Sequence, residues 1–267
     1  MGKIKFQITI LSMLFSVITI AQKGFNMQFT LQPGTSFISG NWMVPGFMAY
    51  NDHYKAPKKI TLGFVGGFNG GYNFTKNIGL GLGLLYSHQR QSYGNYTYSV
   101  TNKTYSRKIR LSYLKIPFKF NFVTNPKKNI AIIFFAGVYY GVLAGYKDVV
   151  TINHNNGNYD TYITSGNTIE SIPINKNNSN TGITYLTKKI YRNDFGITVG
   201  TGIQKKISSN LFLLVSLNYE KGLNDIRNLS SQYLDSHTPY YFEYDVNTEI
   251  ERKNSMLGVI IGLKKIF

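Results

Sequence analysis

Between Arg110 and Phe122 the chain reads RLSYLKIPFKFNF, and alternate positions divide it into two unlike rows. Leu114, Ile116, Phe118, Phe120 and Phe122 form one row; Tyr113, Lys115, Pro117, Lys119 and Asn121 form the other. A β-strand sends successive side chains to opposite faces, so this segment predicts a strand with one apolar face and one face carrying two lysines. Such a strand suits a soluble sandwich, with the apolar row in a core. It equally suits a membrane barrel, with that row against lipid and the lysines inside.

The strand around this segment runs over 105–122, and the same alternation recurs seven more times, over 24–39, 59–74, 77–89, 129–147, 189–206, 210–222 and 252–267. In 59–74, Ile60, Leu62, Phe64, Phe68 and Tyr72 oppose Thr61, Gly63, Gly67, Asn69 and Asn73. In 77–89, Leu80, Leu82 and Leu84 oppose Gly79, Gly81 and Gly83. In 129–147, Phe134, Val138 and Tyr140 oppose Gly137, Tyr139, Gly141 and Gly145. In 189–206, Phe195, Ile197 and Val199 oppose Arg192, Asp194 and Gly196; in 210–222, Leu213, Val215 and Leu217 oppose Ser216, Asn218 and Glu220. In 252–267, Leu257, Val259, Ile261, Leu263 and Phe267 oppose Gly258, Gly262 and Lys264. The connections at 75–76, 123–128 and 207–209 are short, and those at 40–58, 92–104, 148–188 and 223–251 are long. Short turns at one end and long loops at the other predict an all-β, eight-stranded antiparallel up-and-down transmembrane barrel, with short periplasmic turns and long extracellular loops. The even strand count places both ends of the barrel on the periplasmic side.

Residues 1–21 have the form of a secretory signal peptide: Lys3 and Lys5, an apolar run from Ile8 to Ile20, then Thr19 and Ala21 at the −3 and −1 positions. The barrel domain is then 22–267. Of the 29 basic residues two leave with the signal, and 27 against 12 acidic residues gives +15. The basic residues are scattered over strand ends and turns and form no nucleic-acid motif. The expected partner is outer-membrane lipid, and not nucleic acid. No cysteine is present, which excludes disulfides, thiolate metal sites and a lipid-anchored N-terminal Cys. The 21 Tyr, 18 Phe and 26 Gly suit short strands and tight turns, and no capped amphipathic helix is visible.

Candidate chemistry is sparse. His53, His88, His154 and His237 are far apart and read as loop or strand-end residues. Asp235-Ser236-His237 supplies residue types for an enzyme acting on lipid or peptide at the extracellular rim, but adjacent loop residues seldom share a catalytic geometry. Gly79 to Gly83 lacks the helix a nucleotide loop requires, so no cofactor is implied. Asp225, Asp235, Glu243, Asp245 and Glu249 match no calcium-loop spacing. The Asn-rich 148–188 reads as a solvated surface loop for adhesion or partner contact. Tyr86, Tyr139, Tyr140, Tyr146 and Tyr219 suit an aromatic girdle. The charges on the polar rows carry more information: Lys115, Lys119, Arg192, Asp194, Glu220 and Lys264 are expected to pair inside a plugged, non-conducting lumen.

Four segments, YLKIPFKFNF (113–122), NDFGITVGTGIQKKI (193–207), NYEKGLNDI (218–226) and GVIIGLKKIF (258–267), together resemble the PorT-type outer-membrane β-barrel family of Bacteroidetes-group bacteria, relatives of the OmpA/OmpX-like barrels. The resemblance implies an eight-stranded barrel and no catalytic residues. It also implies that Leu263 and Phe267 belong to a C-terminal signal read by the barrel-assembly machinery, and that an envelope or secretion protein is a possible partner. A soluble, lipocalin-like periplasmic barrel remains the alternative, and it would turn the large apolar residues inward.

Overall fold

The computed structural model describes residues 24–39, 57–98, 103–125, 128–153, 159–165, 168–174, 182–185, 193–224 and 253–267. Among these described residues are twelve strands: β1 (Phe25–Ile38), β2 (Lys58–Lys59), β3 (Thr61–Asn73), β4 (Ile78–Tyr98), β5 (Lys103–Val123), β6 (Ile130–Asn153), β7 (Tyr159–Ser165), β8 (Thr168–Ile174), β9 (Gly182–Tyr185), β10 (Asn193–Lys206), β11 (Leu211–Gly222) and β12 (Asn254–Ile266). Eight of them, β1, β3, β4, β5, β6, β10, β11 and β12, pair antiparallel in that order and close where β12 meets β1. Closure removes every edge within the wall, which is what hydrocarbon requires of a spanning sheet.

The register fixes the barrel's shape. Phe25 faces Tyr72, then Leu80, Phe120, Ala136, Val199, Tyr219 and Leu257, which returns to β1 at Thr35, ten residues from the start. A stagger of that size over eight strands tilts them about 40° from the axis, given strand spacings of ~4.8 Å and a rise of ~3.3 Å per residue.

The outward rows are the apolar ones. Phe118, Phe134 and Ile261 are 49%, 46% and 50% exposed, whereas Lys115 and Asp194 are 1% exposed. The lipocalin-like alternative is thereby overturned, since the large apolar side chains line the outside. The Pro117 ring faces inward; it has no N–H to donate, and the β4–β5 register skips Gly83 and Leu84 beside it.

Three expectations are corrected. Most of the connection 92–104 is strand, because β4 and β5 stay paired as far as Tyr98 and Lys103. Within 148–188, β6 continues to Asn153, and β7, β8 and β9 add to it in succession as an antiparallel sheet beyond the barrel wall. Backbone pairing, which the Asn-rich composition hides, organises these stretches. Third, Ala144 is an extra residue in β6: Tyr113 faces Leu143 and Ser112 faces Gly145. A bulge of this kind reverses the alternation beyond it. Gly145 is therefore exposed rather than lumenal, Tyr146 comes opposite lumenal Leu111, and Asp148 turns inward.

Several inward glycines seat a neighbour's side chain. A Cβ on Gly196 would collide with the Tyr139 ring and the Lys221 carbonyl, and one on Gly200 with the Phe135 ring. Gly196→Val is expected to destabilise the barrel by about 1–3 kcal/mol in urea unfolding, as overpacking does. Gly70→Ala, with nothing within 4 Å of the added carbon, is expected to stay within about 0.5 kcal/mol of wild type.

Candidate functional site

The interior holds a small set of buried charges, among them Lys115, Asp194, Glu220 and Lys264. β5 contributes Lys115, and β11, three strands further round the ring, contributes Glu220. The Lys115 ammonium donates to Glu220 Oε2 at 2.6 Å and lies 4.3 Å from the Tyr139 ring centroid. Asn218 donates to Glu220 Oε1 at 3.2 Å and to Gln32 Oε1 at 2.8 Å, and it accepts from the Thr198 hydroxyl at 2.9 Å. β1, β5, β10 and β11 are thereby joined across the lumen by side chains.

Asp194 belongs to a second group. Its Oδ2 accepts from the Tyr139 hydroxyl and from Asn254 Nδ2, each at 3.3 Å, and Asn254 also donates to the Tyr113 hydroxyl at 3.0 Å. Asp194 thus takes neutral donors rather than a direct ion pair. Lys119 lies 5.2 Å from the Phe135 ring centroid. Together with Lys264 it lines a cavity of about 50 Å³ near the short-turn end, among Asn26, Gln28, Asn121 and Gln204. Val123, Ile133, Phe135, Leu214 and Ile260 complete its wall, and the polar groups on one part of it could hold a few ordered waters. Arg192 lies outside the described residues, as do His53, His154, the 235–237 triplet and the five acidic candidates of 225–249.

A further buried ion pair, not expected from the sequence, lies nearer the long-loop end. The Arg107 Nε donates to Asp148 Oδ1 at 3.0 Å and its Nη2 to Asp148 Oδ2. Arg107 was legible from the parity of β5; Asp148 was not, because the bulge at Ala144 turns it inward.

The lumen is also more apolar than a row of glycines and charges suggests. Val65, Leu85 and Met256 form one buried cluster, and Val123, Ala131, Ile133 and Leu214 form another at the short-turn end. Tyr139, expected in an aromatic girdle, is instead an interior group. Tyr86 and Tyr140 do face outward. His88, expected in a loop or at a strand end, lies in the middle of β4 on the outer face, 3.0 Å from the Ser112 hydroxyl, because β4 runs on to Tyr98. Among the described residues no cluster of three His, Asp or Glu could hold a metal ion.

A closed eight-stranded wall with an oily exterior and a hydrogen-bonded, charged interior defines a bacterial outer-membrane β-barrel protein. The family model for the outer membrane protein beta-barrel domain matches residues 24–228, and the chain belongs to that family. Similar solved structures include Neisserial surface protein A, at 10% identity and a TM-score of 0.40, covering 92% of this chain and 98% of that one. OprG from Pseudomonas aeruginosa is similar at 8% identity and a TM-score of 0.44, covering 92% and 97%. Ail, the attachment invasion locus protein of Yersinia pestis, solved with the heparin analogue sucrose octasulfate, is similar at 11% identity and a TM-score of 0.32, covering 91% and 99%. No curated protein matches the sequence.

Proposed function

We propose that this protein is a closed, non-conducting outer-membrane scaffold that acts through its extracellular surface, by adhesion or by contact with an envelope or secretion partner. The observation that carries the reading is a division of labour along the strands. At membrane level the lumen is crossed by the Lys115–Glu220 pair and the Asn218 and Asn254 hydrogen bonds. Further out, β4, β5 and β6 run on past their apolar rows, and β6 continues into the β7–β9 sheet. A ten-residue tilted strand already spans the membrane's apolar band. The 21, 21 and 24 residues of these three strands are therefore about twice what crossing requires.

Within this reading the protein is a PorT-type barrel, supported by the motifs of β5, β10 and β12. Residues 1–21 direct its export. Leu263 and Phe267 serve the assembly machinery; both side chains face outward, and the Phe267 amide donates to the Phe25 carbonyl at 2.9 Å beside the closing seam. This reading assigns no catalytic residue; His88 hydrogen-bonds Ser112 and Arg90.

The test is a pair of measurements. In planar bilayers the purified protein is expected to give no large, stable conductance steps, and recurrent steps of that kind would overturn the closed-lumen reading. Replacing 154–192 by a short turn is expected to keep heat-modifiable gel migration while abolishing co-purification of envelope partners and adhesion of whole cells. Unchanged contacts in that variant would place the function elsewhere.

A further inference from the structure

On the outside of β4, β5 and β6, successive cross-strand rows change character within two steps. Tyr86, Leu114 and Val142 form an apolar row. Above it come His88, Ser112 and Gly145, and above those Arg90, Arg110 and Lys147, directly opposite one another on three adjacent strands. All three cations are exposed, as is Lys108 one row further out. Like charges placed opposite each other across strands repel. Among the described residues none of the three has a carboxylate partner, whereas Arg107–Asp148 and Lys115–Glu220 are paired on the inside.

We propose that this row is a binding site for the phosphorylated headgroup of an outer-leaflet glycolipid. Continuity with the lipid-facing wall selects that occupant: acyl chains lying against Tyr86, Leu114 and Val142 bring their headgroup to the height of the next rows. The charge is complementary, and strands ~4.8 Å apart put three cationic heads within ~10 Å, the reach of a phosphate with its sugar. Arginine presents a planar fork suited to phosphate oxygens. The Arg90 side chain is held in place, because its Nε donates to His88 Nε2 at 3.0 Å. That bond fixes the His88 tautomer, so Nδ1–H is the donor to the Ser112 hydroxyl at 3.0 Å. That contact uses only Nε, and the Arg90 side chain is exposed. An anion bridging the row offsets the repulsion that the bare sheet carries.

The experiment uses the full-length protein in nanodiscs of phosphatidylcholine doped with lipid A, with bound lipid counted by native mass spectrometry. Wild type is expected to retain lipid A and to lose it when the lipid is enzymatically dephosphorylated. R90Q/R110Q/K147Q is expected to retain at least about tenfold less, since each basic group near an anionic surface contributes to retention. K76Q/K128Q/K205Q removes three exposed lysines from the short-turn end and is expected to behave as wild type. Heat-modifiable migration verifies assembly, and R110Q alone, which leaves the Arg90–His88 contact intact, serves if the triple variant does not assemble. Equal retention by wild type and the Arg/Lys variants, or by phosphorylated and dephosphorylated lipid, overturns the proposal. So does full displacement by millimolar inorganic phosphate, which would make the row a free-anion site.

Discussion

Replacing Lys115 with Met is expected to cost the barrel about 3–5 kcal/mol, the penalty for stranding one member of a buried ion pair. Lys115 and Glu220 are 1% and 3% exposed, so neither charge has water to turn to when the other is lost. Glu220 would keep only Asn218 as a hydrogen-bond donor. Glu220→Gln is expected to be less costly, because an amide still accepts from Lys115 and the stranded group is then the ammonium resting on the Tyr139 ring. The double substitution K115M/E220M removes both desolvation penalties and is expected to be near wild type or up to about 4 kcal/mol more stable. Urea titration of wild type, K115M, E220M and K115M/E220M, refolded in detergent–lipid mixtures and followed by heat-modifiable migration, measures all four corners of the cycle. A coupling energy near zero would show that the two side chains do not meet across the lumen.

The second large effect concerns the other face of the same strand. Phe118 is the middle of the outward row from Leu114 to Phe122, half exposed to what is hydrocarbon in place. Phe118→Arg is expected to cost about 2–4 kcal/mol, whereas Leu114→Arg, at the row's outer end beside Ser112, is expected to cost about 0–1 kcal/mol. The contrast between midplane and rim separates a lipid-facing row from a merely apolar one. Refolding into vesicles, with protease protection as the readout, measures it. Equal costs at the two positions would mean that the row does not cross the bilayer at the level the register assigns.

Both substitutions lie on residues that the alternation of 110–122 already sorted correctly, and the reason is local. In a strand with one face in lipid, each residue's environment depends on its parity, and parity is a property of the sequence. The eight wall strands, the short turns at 75–76, 123–128 and 207–209 and the outward apolar rows were therefore legible without coordinates. The partner of an inward charge was not. Lys115 could have met Asp194, on the nearer strand β10, and instead it meets Glu220 on β11; Asp194 meets Tyr139 and Asn254. Those choices depend on where the stagger of ten residues brings each side chain around the ring.

The extracellular half was less legible still. Regular alternation stops at Ser92 and Asp148, so a period-two reading ends the strands there, although backbone pairing continues beyond both. Polar, solvated strands carry no apolar row to announce them. The extra residue Ala144 cannot be seen as extra in one strand alone; it exists only relative to the spacing of β5 opposite.

By itself, then, the sequence determined which apolar rows meet lipid along the wall strands, because a membrane wall imposes that choice residue by residue. The tertiary structure decided everything that requires two strands to be counted against each other: the tilt, the reversal at Ala144 that turns Asp148 toward Arg107, the partners of Lys115 and Asp194, and the alignment of Arg90, Arg110 and Lys147 on one row. Contacts of that kind depend on register, and register is fixed only when the ring closes.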